Sequence, residues 1–147
     1  MFPKFYQTNK KPKTKRQSSP IDLAEKRAWN WFSKYIRLRD CIRTTGRKDM
    51  FKCISCGAIT AFWSGDAGHF ISRSYKATKF DERNVFGQCA KCNRFLQGQW
   101  DKMYEAIRDL HGQETIDDLM IQRNKLTYNV DYAELADTYR NLYNSLK

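Results

Sequence analysis

The sequence lacks any hydrophobic run that approaches the ~18 uncharged residues needed to cross a membrane as a helix. Its N-terminus also lacks the apolar segment of a secretion signal. We therefore expect a soluble, cytoplasmic protein that has no membrane partner. In such a reducing compartment, the five cysteines are more typical of metal binding than of disulfides.

Acidic residues are scarce in the first two thirds of the 147-residue chain. Residues 1–98 hold 21 Lys and Arg against 7 Asp and Glu, whereas residues 99–147 hold 6 and 9. The hydrophobic content of 41% is too high for a disordered chain, and the length fits one domain. The positive excess predicts a polyanionic partner. Nucleic acid is favoured because no amphipathic helix has a long, clean lipid-facing side.

Composition and periodicity divide the chain into four segments. Residues 1–19 form a basic tail that is disordered in isolation, and residues 20–47 form a basic amphipathic helix. Residues 48–98 are rich in Cys, Gly and His, and residues 99–147 form a region of two or three helices.

The first helix has clear start and stop signals. Ser19 supplies a capping hydroxyl and Pro20 suits the first helical position, so the helix is predicted from Ile21 to Thr44, before Gly46. Its apolar stripe is interpreted as core rather than as a base-stacking surface: Ala28, Trp29, Phe32, Tyr35, Ile36 and Ile42.

Two CxxC pairs predict a structural zinc site. The pairs are Cys53 with Cys56 and Cys89 with Cys92. Two intervening residues let both thiolates of a pair face one ion, and four thiolates complete a tetrahedral site with no open position. A redox role would require a thioredoxin-like βαβ pattern, which the sequence does not have. The fifth cysteine, Cys41, is predicted to be a buried small hydrophobe.

The 32 residues between the two pairs exceed the ~15–20 of a usual zinc ribbon, so something is inserted. Ser64–Phe70 is predicted to form a short strand and Asn84–Gln88 its antiparallel partner. A helix is expected after Cys89. This arrangement would bring together one histidine and two asparagines: His69, Asn84 and Asn93.

These motifs resemble the HNH, or ββα-metal, nucleases in a His–Asn–Asn variant. More narrowly, CISCG, DAGHF, FDERN and QCAKCN resemble the NinG (Rap) recombination proteins of lambda-like phages, over roughly residues 30–147. The two CxxC pairs, with an asparagine directly after the last cysteine, are also similar to those of phage endonuclease VII, a Holliday-junction resolvase. The resemblance implies an α+β fold in which a zinc-stapled ββα-metal nuclease core, residues 48–98, is flanked by helices.

The implied function is that of a metal-dependent endonuclease acting on branched recombination intermediates, Holliday junctions and D-loops, in the host cytoplasm. A neutral imidazole suits a general base, so His69 is expected in that role, oriented by a backbone carbonyl. Asn93 and Asp66 offer oxygen ligands for Mg²⁺ or Mn²⁺. By resemblance, Asn84 ties the hairpin loop and fixes the histidine.

The sequence departs from the common HNH pattern at position 68. Gly68 stands where many members have an acid, so Asp81 and Glu82 remain alternatives to Asp66 as the carboxylate ligand. Six basic residues are expected to contact DNA phosphates: Arg73, Lys76, Lys79, Arg83, Lys91 and Arg94.

Two other functions stay open from the sequence. One is a zinc-stabilised DNA-binding module without catalysis, and the other is a sequence-specific HNH endonuclease on duplex DNA. A homodimer joined through the final helix, Tyr132 to Leu146, and a recombinase partner are further expectations.

Overall fold

A computed structural model describes residues 17–126 and 129–147. The predicted tail therefore lies outside the described residues except for its last three positions. Helix α1 comprises Pro20–Thr45, which agrees with the sequence prediction to within one residue at each end. Ser19 caps it, since its Oγ accepts a hydrogen bond from the backbone N–H of Asp22 at 3.2 Å. Gly46 ends the helix in the left-handed conformation, at φ 69°.

Four short strands form two antiparallel hairpins: β1 Met50–Lys52, β2 Ile59–Ala61, β3 Asp66–His69 and β4 Val85–Gln88. In the second hairpin, Asp66 faces Gln88 and His69 faces Val85. The predicted antiparallel pairing across the insert is therefore confirmed. The first hairpin was not predicted, because strands of three residues are too short to show a periodicity of two.

Two short helical segments flank β4. Helix α2, Lys76–Lys79, lies in the connection between β3 and β4, and a π-helical turn, Lys91–Phe95, follows β4. The turn corresponds to the predicted helix after Cys89, although it is only five residues long.

Three helices complete the chain: α3 Trp100–His111, α4 Gln113–Gln122 and α5 Tyr132–Leu146. They match the three helical patterns of the C-terminal segment. Residues 127 and 128, inside the predicted break before the last helix, lie outside the described residues. No helix in the part of the chain that the structure describes is long and apolar enough to cross a membrane.

Helix α1 packs against β1, both strands of the second hairpin and α5. Phe32 and Ile36 are fully buried and pack with Val85 of β4 and Tyr139 of α5. Ile42 was predicted to share this face, but it is 37% exposed, and Cys41 takes the buried position instead. The stripe is therefore core in its middle, as the periodicity indicated.

A buried carboxylate also joins α1 to the second hairpin. Asp40 is 1% exposed, and its Oδ2 accepts a hydrogen bond from the backbone N–H of Gly87 at 2.6 Å. Arg39 and Arg43 both donate to its Oδ1. This network fixes β4, and with it the hairpin that carries His69, against the helix.

Candidate metal and catalytic site

The four paired cysteines meet at one point. Cys53 and Cys56 lie in the connection between β1 and β2, while Cys89 and Cys92 follow β4. Their Sγ atoms lie within 4.8 Å of one another, and those of Cys56 and Cys89 are 3.8 Å apart. Tetrahedral zinc with Zn–S bonds of about 2.3 Å separates its sulfurs by about 3.8 Å. The cluster therefore fits a metal ion such as zinc.

Backbone hydrogen bonds hold the first pair in a tight turn. The N–H of Cys53 donates to Ala58 at 2.9 Å, and the N–H of Gly57 donates back to Cys53 at 2.8 Å. Gly57 has φ 72°, a conformation that favours glycine. The N–H of Ile54 donates to the carbonyl of Gly87 in β4 at 3.0 Å. The knuckle is thus attached to the second hairpin.

Burial raises the pKa of both Cys53 and Cys92 above the usual thiol range. Four clustered sulfurs in this position cannot all carry negative charge unless a cation is present to balance it. The chemistry of the cluster therefore supports metal binding. Cys41 is separate from it, fully buried in α1, and burial raises the pKa of its thiol to about 11.

His69, the last residue of β3, is held by two contacts. Its Nε2 lies 2.9 Å from the carbonyl oxygen of Lys79, which can only accept, so Nε2 carries the ring proton. Its ring stacks on that of Trp29, with centroids 4.9 Å apart and planes at 21°. Burial lowers the pKa of His69 to about 4, and the nearby charges of Lys79 and Arg73 act in the same direction. The imidazole is therefore neutral at pH 7.

Two adjoining cavities open beside His69. The first, of about 390 Å³, is lined by His69 itself, and the second, of about 340 Å³, by Asp66. They share four lining residues, so we treat them as one cleft, named the His69 cleft: Trp29, Ala67, Arg73 and Asn93. The predicted base and the predicted metal ligands thus reach the same open space.

Trp29 was not predicted to belong to this site. Its helical spacing placed it with the core residues of α1, and no sequence signal separates a tryptophan that stacks on a histidine from one that fills a core. In the structure Trp29 does both. The centroid of its ring lies 5.6 Å from that of Phe32 and 6.2 Å from that of Phe80. The same ring stacks on His69.

Asn84 holds the loop between β3 and β4 closed. It is fully buried, its Oδ1 accepts from the N–H of Ile71 at 2.7 Å, and its Nδ2 donates to the carbonyls of Ile71 at 3.0 Å and Thr78 at 2.9 Å. Thr78 is next to Lys79, whose carbonyl anchors His69. Asn84 thus makes the loop contacts that the family resemblance implied.

Asn93 and Asp66 are in direct contact. Asn93 Nδ2 donates to Asp66 Oδ2 at 3.0 Å, and Arg94 donates to both carboxylate oxygens, at 2.8 and 2.6 Å. Burial alone would raise the pKa of Asp66, but these hydrogen bonds outweigh it and lower the pKa. The Asp66 side chain is 16% exposed, whereas that of Arg94 is 62% exposed.

The glycine before His69 has a steric reason. A Cβ at position 68 would collide with Oε1 of Gln88 and would lie 3.2 Å from Oδ1 of Asn93. A side chain at position 68 would require the buried Gln88, which is hydrogen-bonded to Ser55 and Gly98, to move, so glycine suits this position. The same face of β3 instead carries its acid two residues earlier, at Asp66.

The alternative carboxylates are engaged elsewhere. Asp81 pairs with Arg83 at 2.7 Å, and Glu82 accepts hydrogen bonds from Tyr35 and Tyr139 at 3.2 and 3.3 Å. Neither lines the His69 cleft. Of the three acids that the sequence left open, Asp66 is the one placed beside Asn93.

The six predicted DNA-contacting residues fall into two groups. Arg73 and Arg94 line the cleft. Lys76 lines a different cavity, Lys79 pairs with Glu25 at 2.7 Å, Arg83 pairs with Asp81 and Asp118, and Lys91 is exposed. Within residues 17–126 and 129–147, Arg73 has no acidic partner at ion-pair distance. It is therefore available to an external anion.

Comparison with known proteins identifies relatives over nearly the whole chain. The family model described as Bacteriophage Lambda NinG protein matches residues 4–147. "Protein ninG" of Escherichia phage 933W is 32% identical over 108 residues, which are 72% of this chain and 49% of that protein. For "Protein ninG" of Escherichia phage lambda, the identity is 30% over 127 residues, which are 82% and 57% of the two chains.

A third relative, "Protein ninG" of Salmonella phage P22, is 39% identical over 75 residues, which are 50% of this chain and 32% of that protein. The chain spans about half the length of the first curated relatives it matches. No solved structure matches it. The match over residues 4–147 shows that the chain belongs to the NinG family of phage proteins.

Proposed function

We propose that this protein is a metal-dependent, structure-selective endonuclease that cuts branched DNA, such as Holliday junctions and D-loops, during phage recombination. The observation that carries the proposal is the neutral imidazole of His69, fixed by the Lys79 carbonyl and the Trp29 ring at a cleft that also contains Asn93. The motif resemblance to HNH nucleases and to endonuclease VII supports the reaction and the substrate class.

His69 is suited to remove a proton from a water molecule. Nε2 is committed to the Lys79 carbonyl, and among the described residues Nδ1 has no hydrogen-bond partner, so its lone pair can accept. In the protein without DNA, a pKa of about 4 makes the His69 ring a weak base. A phosphate bound at Arg73 would raise that pKa, because a nearby negative charge stabilises the imidazolium.

Asp66 and Asn93 are the residues that would hold Mg²⁺ or Mn²⁺, since they supply a carboxylate and an amide carbonyl. When bound, such a cation neutralises charge on the scissile phosphate and stabilises the departing 3′-oxygen. Arg94 donates to both oxygens of Asp66 and Asn93 donates to one of them, so a cation would share this carboxylate with the guanidinium or displace the guanidinium. At 62% exposure it has room to turn toward a DNA phosphate.

One observation favours a second candidate function, a zinc-stabilised DNA-binding module without catalysis. The ion pair with Arg94 already neutralises Asp66, so the described residues that line the cleft offer no exposed, unbalanced carboxylate to attract a cation. In that case Arg73 and Arg94 would only contact the DNA backbone.

The test is a cleavage assay on a labelled four-way junction and on a linear duplex of matched sequence, with Mg²⁺ or Mn²⁺. We expect the wild type to cut the junction in a cation-dependent manner and His69→Ala to lower the rate by roughly 10²–10⁴. His111→Ala is the matched control, because His111 ends α3 and does not line the cleft. Tight junction binding without cutting under either cation would contradict the proposal and leave the binding module.

A further inference from the structure

Trp63 is an exposed aromatic residue at the mouth of the His69 cleft. It lies in the connection between β2 and β3, and 77% of it is exposed. It lines the same cavity as Asp66, Arg73 and Arg94. A large apolar ring in this position is not explained by the core, and none of the hydrolytic groups described above requires it.

The ring is exposed but firmly held. Arg37 of α1 donates to the carbonyl of Phe62 at 2.9 Å and to that of Gly65 at 3.3 Å, and its guanidinium lies 4.8 Å from the Phe62 ring. Phe62 is 3% exposed and meets Trp63 edge-on, with centroids 4.6 Å apart and planes at 89°. The ring is therefore presented to solvent in a defined orientation, which reduces the entropy lost when a ligand binds.

The turn that carries Trp63 is closed by its own backbone. The N–H groups of Ser64 and Gly65 both donate to the carbonyl of Ala61 at 3.1 Å. Gly65 has no space for a side chain, because a Cβ there would come within 2.7 Å of the buried ring of Phe51. The turn thus rests directly on the core.

We infer that Trp63 stacks on an unpaired or unstacked base at a DNA branch point. In linear duplex both faces of each base are covered by neighbouring bases, so an external ring gains nothing there. At a branch, a base has an uncovered face on which an aromatic ring can stack whatever its sequence. Arg73, which has no acidic partner among the described residues, lines the same cavity and supplies charge for the adjoining phosphates.

This inference rests on the proposed function and adds what that function requires. His69, Asn93 and Asp66 act on a phosphodiester, a group present at every step of DNA, so they cannot by themselves distinguish a junction from a duplex. A rigid, exposed ring beside them can.

Phe95 provides a matched control. It is 78% exposed, about as much as Trp63, and it lies close by in sequence to the cleft residues, at the end of the π-helical turn. It does not line the His69 cleft, and within the described residues it makes no ring contact.

The experiment measures binding of the 147-residue chain, in the His69→Ala background and without added divalent cation, so that no strand is cut. The probes are a four-way junction with 2-aminopurine beside the branch point and a linear duplex with the same labelled strand. We expect Trp63→Ala to weaken junction binding by about tenfold or more, to change duplex binding less than about twofold, and to abolish the change in 2-aminopurine fluorescence. Trp63→Phe should keep most of the junction affinity and most of the fluorescence change, and Phe95→Ala should keep both in full.

Equal losses on junction and duplex, or an equal loss of junction binding with Phe95→Ala, would overturn the assignment of Trp63. The outcome is separable from that of the cleavage assay. A protein that never cuts DNA but prefers junctions through Trp63 would refute hydrolysis and support stacking. A nuclease whose junction preference is unchanged in Trp63→Ala would support hydrolysis and refute stacking by Trp63.

Discussion

The cysteine cluster and the His69 cleft share the second hairpin but are built in opposite ways. The cluster gathers four identical ligand atoms within 4.8 Å and holds them by short backbone hydrogen bonds. The cleft is lined by one imidazole, two amides, one carboxylate and three guanidinium groups, which come from α1, β3, the π-helical turn and the adjoining connections, around open space. The first arrangement is suited to stability, and the second keeps faces of its polar groups available.

The dependence between the two regions runs mainly in one direction. Asn93 directly follows the cluster residue Cys92, and Ile54 of the first knuckle is hydrogen-bonded to Gly87 in β4. Disrupting the cluster should therefore displace cleft residues. In contrast, side chains such as Arg94 and Trp29 can be changed without touching a sulfur. The following predictions test this asymmetry.

The largest effect is expected from removing a cysteine ligand. Cys53→Ser should lose the bound zinc and unfold the region around both hairpins, because structural zinc contributes roughly 10–16 kcal/mol in small zinc domains. Metal content by mass spectrometry and thermal unfolding by circular dichroism measure the two effects. Cys41→Ala is the control, because Cys41 is buried outside the cluster. This variant should keep one zinc per chain. A Cys53→Ser protein with normal zinc content and stability would refute the staple.

The next largest effect is expected within the loop between the two strands of the second hairpin. Asn84→Ala removes three hydrogen bonds at a fully buried position and should destabilise the fold by about 2–4 kcal/mol. Zinc content should stay normal, because within the described part of the chain this side chain makes no hydrogen bond to a cysteine. Urea unfolding measures the change, and Asn93→Ala, at a less buried position, should cost less than about 1 kcal/mol. Equal costs for both variants would show that Asn84 does not hold the loop.

The two regions also differ in how far the sequence predicts them. The cysteine cluster was predicted from sequence spacing alone, because two CxxC pairs are the usual ligand pattern of a four-cysteine zinc site. The bounds of α1 likewise follow from local signals, Ser19-Pro20 at its start and Gly46 at its end. A backbone-carbonyl partner for His69 was expected from the chemistry of a neutral imidazole, whereas the loop contacts of Asn84 were implied by the family resemblance.

Apart from the short first hairpin, the missed features depend on contacts between parts of the chain that are far apart in sequence. Trp29 and His69 are 40 positions apart, and the pair Arg94 with Asp66 spans 28. Their proximity results from how α1 packs on β4 and how the π-helical turn lies over β3. Neither leaves a local pattern. The Gly68 departure has the same origin, because its cause is the side chain of Gln88 across the hairpin.

A smaller effect is expected at the ion pair over Asp66. Arg94→Gln should raise the affinity of the zinc-loaded protein for Mn²⁺ by about tenfold, or about 1.4 kcal/mol, because the guanidinium no longer competes for the carboxylate. Titration followed by electron paramagnetic resonance measures this binding without any cleavage. Arg83→Gln, which removes a similar charge away from the cleft, should leave the affinity unchanged, and Asp66→Asn should abolish binding. An Arg94→Gln protein with unaltered affinity would exclude Asp66 as the cation ligand.

The smallest effect is expected at the stacked imidazole. The pKa of His69 is about 4 because the ring is buried, whereas an exposed histidine titrates near 6.5. Trp29→Ala uncovers one face of the ring and should raise its pKa by about half a unit, while Trp29→Phe should preserve most of the depression. Nitrogen NMR of the two histidine rings gives these values directly, with His111 as the internal reference.

The sign of the stability effect follows from the same pKa. Between pH 6.5 and 4 the unfolded chain protonates His69 and the folded protein does not, so the free energy of unfolding falls as the pH is lowered through this window. The loss reaches about 3 kcal/mol in full, and it should be absent from His69→Gln compared at the same pH values. Because Trp29→Ala raises the folded pKa, it should make this loss smaller. If the His69 ring of the wild type titrates near 6.5, its environment is as polar as water and the ring is not buried. The cleft and the closed cysteine cluster would then differ in solvent access more than the structure indicates.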